Sequence, residues 1–365
     1  MKNDYRTFKL TLRTMAPVHI GSGEKYTNRE FIYENKAYYF PDMGKFYSSM
    51  VEKGLSDKFE SFLMEHGKAA KNNRLISFLE GNRIRERNFG GYKIKETGFE
   101  KDEEEGKKGT INEVSKFIRD GFGKPYIPGS SLKGALRTVL LNTHPQWKTT
   151  NFISEYGRIK KENKEVIPWG AERNQKFDDL FNEIRVSDSL SLKVKGRECH
   201  SQDLILVQKW DYSATAKTPK PIPLYREALP PFTAVEFLIT TTSDRAAKMI
   251  EQLGSLSLEF YNSYKAFFLD EFDEQYRQAN VQYPLYLGAG SGAWTKTVFK
   301  QADGILQKRY SRMPTTKMVR KGVLKLTKAP SVSFLVKGED RRLIKNGDNF
   351  YEMGKVNFII QEISK

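Results

Sequence analysis

Three observations in the sequence predict an α+β protein with two domains of mainly antiparallel sheet. Each half of the chain runs from segments of alternating apolar and polar residues into helical segments, then into a Gly-containing loop beside a strand. Neither half shows the regular strand-helix alternation of a parallel βαβ sheet. The 365 residues are 38% hydrophobic with 24 Phe and 18 Tyr, enough for one large core or two ordinary ones of about 150 residues each. The expected division gives domains 1–150 and 151–365, joined by the polar, proline-containing stretch 145–175.

Residues 5–14 alternate, with Phe8, Leu10 and Leu12 on one face and Lys9, Thr11 and Arg13 on the other, which predicts a half-buried strand. A turn-rich loop, 17–23, follows. Two aromatic-rich strands, 30–34 and 37–40, flank Asn35-Lys36, a pair without the glycine that favours a tight hairpin. Asp42 caps a helix that runs to about Glu52 and stops at Gly54. Further helices are expected over 57–66 and 69–79. Residues 81–110 carry glycines and the run EKDEEEGKKG with little apolar periodicity, which predicts a mobile charged insertion. Order resumes at 111–118, and Tyr126-Ile127-Pro128-Gly129 leads into a helix with Leu132, Leu136, Val139 and Leu140 on one face. In the second half, 184–188, 204–210 and 232–241 read as strands. Asp244 caps a long helical stretch reaching about Gln278, with Gly254 as its break point, and 283–287 leads into a third Gly-rich segment.

Lys and Arg number 61 against 45 Asp and Glu, a net charge of +16 that makes a polyanion the first partner to consider. The excess concentrates after Lys296, in KTVFKQ, QKRYSRM and KMVRKGVLKLTK, which predicts a basic arm or groove. Cationic residues also recur beside aromatics, as at Arg29 and Phe31, Lys36 and Tyr38, Lys45 and Phe46, Trp294 and Lys296, and Lys308 to Tyr310, a pattern suited to phosphate contact with base stacking, although most of those rings must serve a core. One cysteine, Cys199, excludes an intrachain disulfide and every multi-cysteine zinc site, and fits a reducing compartment. The amino-terminal residues offer no apolar signal segment and no later run approaches about 20 apolar residues, so a cytoplasmic protein without membrane spans is expected.

Three Gly-rich loops carry the functional signal: Gly21-Ser22-Gly23, Gly129-Ser130-Ser131, and Gly288-Ala289-Gly290-Ser291-Gly292. Glycine lets the backbone approach closely and point N–H groups at a phosphate. At the second loop a helix N-terminus adds its dipole, with Lys133 and Arg137 along one face; the competing reading is a turn and cap alone. The third loop misses the P-loop pattern by one position, because Thr295 stands where the glycine before Lys296-Thr297 belongs. It reads as a structural turn or an RNA-backbone contact more readily than as an ATP site.

Acid-base candidates are weak. His19 beside the first loop could serve RNA cleavage, but an imidazole that shapes the loop is the commoner outcome; His66, His144 and His200 sit in no motif. Asp178, Asp179, Asp188, Asp270, Glu271 and Asp273 could hold magnesium, yet solvated faces and caps explain such acids more often. No metal or other cofactor is expected.

The segments LRTMAPVHIGSG at 12–23, YIPGSSLKGALRT at 126–138 and LGAGSGAWTKT at 287–297 resemble the signature segments of the RAMP superfamily of CRISPR effector proteins. Their order and the chain length are similar to an end-capping subunit of type III-A Csm complexes. The resemblance implies two ferredoxin-like, RRM-related domains and a non-catalytic role. It further implies capping of the backbone filament at the 3′ side of the guide RNA (crRNA), help in guide maturation, and contact with Csm subunit three and other Csm subunits. Gly21, Ser22, Gly23, Lys45, Ser130, Ser131, Lys133, Arg137, Gly288, Gly290, Ser291, Gly292 and Lys296 become candidate contacts with the guide backbone or supports for them. Two alternatives stay open: a metal-independent endoribonuclease using His19, and a protein-only assembly scaffold.

Overall fold

The computed structural model describes residues 5–65, 73–96, 111–145, 180–292, 294–296, 323–329 and 350–363. Strand β1 (Arg6–Thr14) turns through a buried segment into β2 (Gly21–Thr27), so Gly21, Ser22 and Gly23 belong to a strand where a loop is expected. The hairpin β3 (Ile32–Glu34) and β4 (Ala37–Phe40) closes without glycine because Asn35 and Lys36 both take positive φ, 51° and 58°. Asp42 caps α1 (Met43–Glu52), accepting from the Gly44 and Lys45 amides at 3.0 and 3.2 Å, and α2 (Ser56–Met64) and α3 (Leu75–Gly81) follow. His66 lies outside the described residues.

The expected insertion at 81–110 is corrected over its first half. Residues 92–95 form β5 (Tyr92–Lys95), paired with β4. Buried Ile84, Phe89 and Ile94 anchor the stretch, and the Tyr39 hydroxyl both accepts from Phe89 N and donates to Gly90 O. Gly91 passes so close to Phe40 that a Cβ would sit 2.0 Å from its carbonyl oxygen. Contacts sparse in sequence are thus supplied by the tertiary fold. Residues 97–110 lie outside the described set.

After β6 (Glu113–Phe117) comes α4 (Gly129–Thr143), whose Leu132, Leu136, Val139 and Leu140 are all buried as the spacing predicts. Three short strands, β7 (Ile184–Val186), β8 (Ser191–Val194) and β9 (Arg197–Glu198), precede β10 (Ile205–Tyr212), β11 (Pro219–Ala228) and β12 (Ala234–Thr241). The long helix expected from Asp244 is two, α5 (Asp244–Glu251) and α6 (Leu253–Phe267). Its cap is Ser243, which accepts from Ala246 N at 3.2 Å, and the chain beyond Phe267 forms single-turn 3-10 helices. Gly254 does not break the helix; its bare Cα lets the Tyr283 ring pack where a Cβ would lie 2.9 Å away. Strands β13 (Pro284–Tyr286), β14 (Leu324–Lys328), β15 (Phe350–Glu352) and β16 (Lys355–Ile363) complete the fold.

Among the described residues the strands form three sheets. The first runs β13-β16-β1-β12-β8-β9, with β7 also on β12, and every pairing in it is antiparallel. The second runs β15-β14-β10-β11-β6-β2, antiparallel except where β11 meets β6. The third is β3-β4-β5. The mixed, largely antiparallel α+β class is as expected. Strand β1 precedes residue 150 and has both its partners, β12 and β16, after it, so sheet pairing crosses the division expected there. Helix α4 packs on α6, and a large apolar cluster joins β1, α4, α5, β12 and β16.

Candidate nucleic-acid interface

Backbone hydrogen bonds bind the first and third Gly-rich segments to one another. Ala289 N donates to His19 O at 2.9 Å, Gly354 N to Pro17 O at 2.9 Å and Leu287 N to Gly354 O at 2.8 Å. The approach leaves no space for side chains: a Cβ on Gly288 would lie 2.2 Å from His19 O, and Gly288 has φ +75°. The second segment arrives by a similar close contact, since a Cβ on Gly129 would lie 2.4 and 2.5 Å from the Val186 and Ser187 carbonyl oxygens.

All three segments border one cleft of about 390 Å³. Ile20 and Gly21 line it from the first, Ser130, Ser131, Gly134 and Thr138 from α4, and Gly288, Ala289, Thr295 and Lys296 from the third. Of the residues singled out from sequence, Gly21, Ser130, Ser131, Gly288 and Lys296 therefore come together. Ser22 and Gly23 are exposed on the adjoining edge strand β2, where the pairing with β6 is irregular between Gly21 and Lys25. Gly290 and Gly292 take positive φ, and buried Ser291 donates from its hydroxyl to Gly288 O at 3.3 Å. These three shape the third loop.

Other candidates are placed elsewhere. The Lys133 ammonium donates to Ile184 O at 2.6 Å and lies over the Phe181 ring, and burial followed by the Arg185 charge lowers its pKa. In this position it braces α4 against β7. Arg137 is not a lining residue of the cleft, and Lys45 rests against Gly90 beside the three-stranded sheet. The anion at the N-terminus of α4 is also the protein's own: Gly129 N donates to the Asp188 carboxylate at 2.7 Å. Thr295 completes the departure from a P-loop, because its hydroxyl sits within 3.2 Å of Ser291 O and 3.0 Å of Gly292 O inside the loop.

His19 is 3% exposed, with Nδ1 2.6 Å from Glu227 O, so Nδ1 carries the proton and donates. Burial, opposed by that hydrogen bond and reinforced by the Arg226 charge, lowers its pKa to about 4. Such an imidazole supports the loop. Asp270 pairs with Lys265 and Arg277 and Asp273 accepts from Tyr212, while Asp178 and Asp179 lie outside the described residues. Among the described residues no group of three or more His, Cys, Asp and Glu side chains could hold a metal, and no helix is long and apolar enough to cross a membrane. Phe31, Tyr38, Tyr39 and Phe46 are buried and Trp294 packs on Phe267 and Phe268, so these aromatics serve the core rather than stacking on bases. Most of the basic stretch after Lys296 lies outside the described residues.

Two features escape a reading of the sequence. Tyr286, a wall of the cleft, donates from its hydroxyl to Glu352 at 2.6 Å; Glu352 also accepts from Gln278 N at 2.7 Å and lies 3.5 Å from the fully buried Lys355 ammonium. Burial, then the Glu352 charge, pushes the Tyr286 phenol well above its usual range. Arg226 of β11 also reaches the third loop, and no local motif marks it.

The RAMP superfamily model matches residues 11–293. A "CRISPR system Cms protein Csm5" of Streptococcus thermophilus is 63% identical over 365 residues, covering all of both chains. Another with that name from Mycobacterium tuberculosis (strain ATCC 25618 / H37Rv) is 30% identical over 334 residues, 83% of this chain and 86% of its own. A chain from the cryo-EM structure of a Csm-crRNA-target RNA ternary complex of a type III-A CRISPR-Cas system shares the fold, with TM-score 0.61 and 17% identity over 96% of this chain and 100% of its own.

Proposed function

Because this chain belongs to the RAMP superfamily and, within it, to the Csm5 subunits of type III-A CRISPR-Cas Csm complexes, we propose that it holds the guide-RNA backbone without catalysing a reaction. On this reading it caps the filament at the 3′ side of the crRNA, assists crRNA maturation and docks on Csm subunit three. The observation that carries it is the convergence of three separate Gly-rich segments, about 110 and 160 residues apart in sequence, on one cleft. Backbone amides and a few cations suit a partner whose base sequence varies, since phosphate contacts position RNA without reading it. That the two larger sheets are each assembled from strands on both sides of residue 150 is compatible with two interleaved ferredoxin-like units, the arrangement this reading expects. Burial of His19 and its bond to Glu227 favour the binding reading over the nuclease.

The test is binding of labelled single-stranded guide RNA by the purified chain across a salt series, with the RNA then run on a denaturing gel. Intact RNA and affinity that falls as salt rises are expected. Cleavage that disappears in His19→Ala would establish the nuclease instead, and affinity indifferent to salt would point to the protein-only scaffold.

A further inference from the structure

The turn between β6 and α4 holds one aromatic ring out into solvent on a rigid support. Phe122 is 92% exposed, more than any other large apolar side chain among the described residues. An antiparallel bridge between Arg119 and Pro125 closes the base of the turn. Inside it, one Asp120 carboxylate oxygen accepts from the Phe122 and Lys124 amides at 2.8 and 2.9 Å. Asp120 O accepts from Gly123 N at 3.0 Å, and Asp120 N donates to Lys124 O at 2.9 Å. Gly123 takes φ +78°, which lets the chain reverse directly after the ring.

The support reaches into the core. The Ser201 hydroxyl donates to Gly123 O at 3.3 Å and accepts from Arg119 Nε at 2.9 Å. The Arg119 guanidinium donates in turn to Phe117 O, to the Tyr92 hydroxyl and to the fully buried Glu227 carboxylate. One guanidinium thus ties the turn to β5, β6 and β11. Gly121 and Gly123 flank the ring without side chains, and a Cβ on either would meet nothing within 4 Å, so the ring stands clear on both sides.

A phenyl ring in water gains by burial, and a ring on a backbone already held loses little freedom in the process, the combination that makes an interface anchor. The charges around it select the partner. Each cation of the turn and of β9, which faces it, is matched by a carboxylate: Lys124 with Glu198 at 3.0 Å, Arg119 with Glu227 at 2.9 Å, and Arg197 with Asp203. Single-stranded nucleic acid is bound where a basic groove runs beside a stacking ring. An apolar protein pocket with a polar rim asks for the ring and the balanced pairs found at this turn.

We propose that Phe122 is a docking anchor that seats in an apolar pocket of the protein subunit adjoining this chain in the complex. Naming that subunit as Csm subunit three rests on the function proposed above; the anchor itself rests on the exposure and rigidity of the turn.

The test titrates the full chain and its Phe122→Ala, Phe122→Leu and Phe122→Cys variants with purified Csm subunit three. Cys199 is 2% exposed and burial pushes its thiol up to about 12, so Phe122→Cys introduces the one thiol of this chain that a maleimide alkylates readily. Phe122→Ala is expected to weaken the complex about 30-fold, and Phe122→Leu, which keeps most of the apolar area, much less. Saturating subunit three should shield the Phe122→Cys thiol from alkylation, followed on this chain by mass spectrometry. All three variants should melt with the parent, because the side chain they alter packs on so little. If a complex forms in which Phe122→Ala binds like the parent and the Phe122→Cys thiol reacts as in the free chain, the anchor is overturned and docking stands. Shielding by a labelled single-stranded RNA alone would assign the ring to base stacking and overturn the anchor as well. If the parent does not bind subunit three, that docking reading fails, and the complex reconstituted from all Csm subunits and guide RNA judges the anchor: shielding there, with loss of the Phe122→Ala chain from the assembly, supports it, and alkylation at the free-chain rate overturns it.

Discussion

At His19 the imidazole is sealed from solvent and its Nδ1–H is spent on the Glu227 carbonyl, 2.6 Å away, which gives the residue a measurable effect on stability. The unfolded chain protonates this histidine near its ordinary 6.5, whereas the folded chain resists until about 4. Between those values the unfolded state binds more protons, so the contribution of His19 is complete above pH 6.5 and is lost as pH falls toward 4. Over that window it amounts to about 3 kcal/mol. His19→Asn, which keeps a donor for Glu227 but cannot titrate, should flatten the fall of Tm between pH 6.5 and 4; a pH profile parallel to the parent's would refute this account. Sequence reasoning at this scale identifies residue types better than their surroundings. It finds Gly21, Ser130, Ser131, Gly288 and Lys296, which meet at the cleft, because glycine runs and a serine-rich helix start are local signals. It does not foresee that Lys133 reaches a carbonyl remote in sequence, and it misses Arg226, which is ordinary until the fold sets it against Gly290.

Elements with a strong local period are legible without the structure: β1, α1 with its Asp42 cap, α4 and β12 all fall close to where the residue pattern places them. Those that depend on neighbours are not. Strand β11 carries Pro219, Pro221 and Pro223, which argue against a strand in isolation, yet β10 and β6 hold it from both sides over parts of its length. Strand β5 is similarly silent in a charged stretch and exists because β4 offers an edge and Gly91 fits against Phe40. Helix α4 shows how one position fixes an element's location. Gly129, at its first turn, touches two backbone carbonyls of the 186–187 segment and is capped by Asp188, so it sets where the helix meets both the sheet and the cleft. Gly129→Ala would drive a methyl group into Val186 O and Ser187 O. A loss of about 3 kcal/mol is expected, seen calorimetrically as a Tm lower by roughly 4 °C. A Tm within a degree of the parent's would mean that the contact relaxes freely.

Across the whole molecule the chain closes on itself: β1 is flanked by β12 and β16, so the first sheet cannot form until more than two hundred residues of intervening chain have been accommodated. The second sheet has the same character, with β2 and β6 from the first half completed by β11 from the second. This arrangement is hidden from a residue pattern because strand identity is local whereas strand partnership is not. It also decides how the protein divides. A fragment of residues 1–150 would leave Phe8, Leu10 and Leu12 without the strands that bury them, a loss of roughly 1.5 to 3 kcal/mol for each side chain, and would leave both edges of β1 without hydrogen-bonding partners. Together that is about 5 to 9 kcal/mol, comparable with the roughly 5 to 15 kcal/mol that holds a whole domain. Expressed alone, 1–150 should therefore lack a cooperative thermal transition and yield to limited proteolysis, whereas co-expression with 151–365 should recover a soluble, protease-resistant pair in which the two fragments copurify. Cooperative melting of 1–150 by itself would show that β1 finds a partner within the first half, and would put the unit boundary back at residue 150.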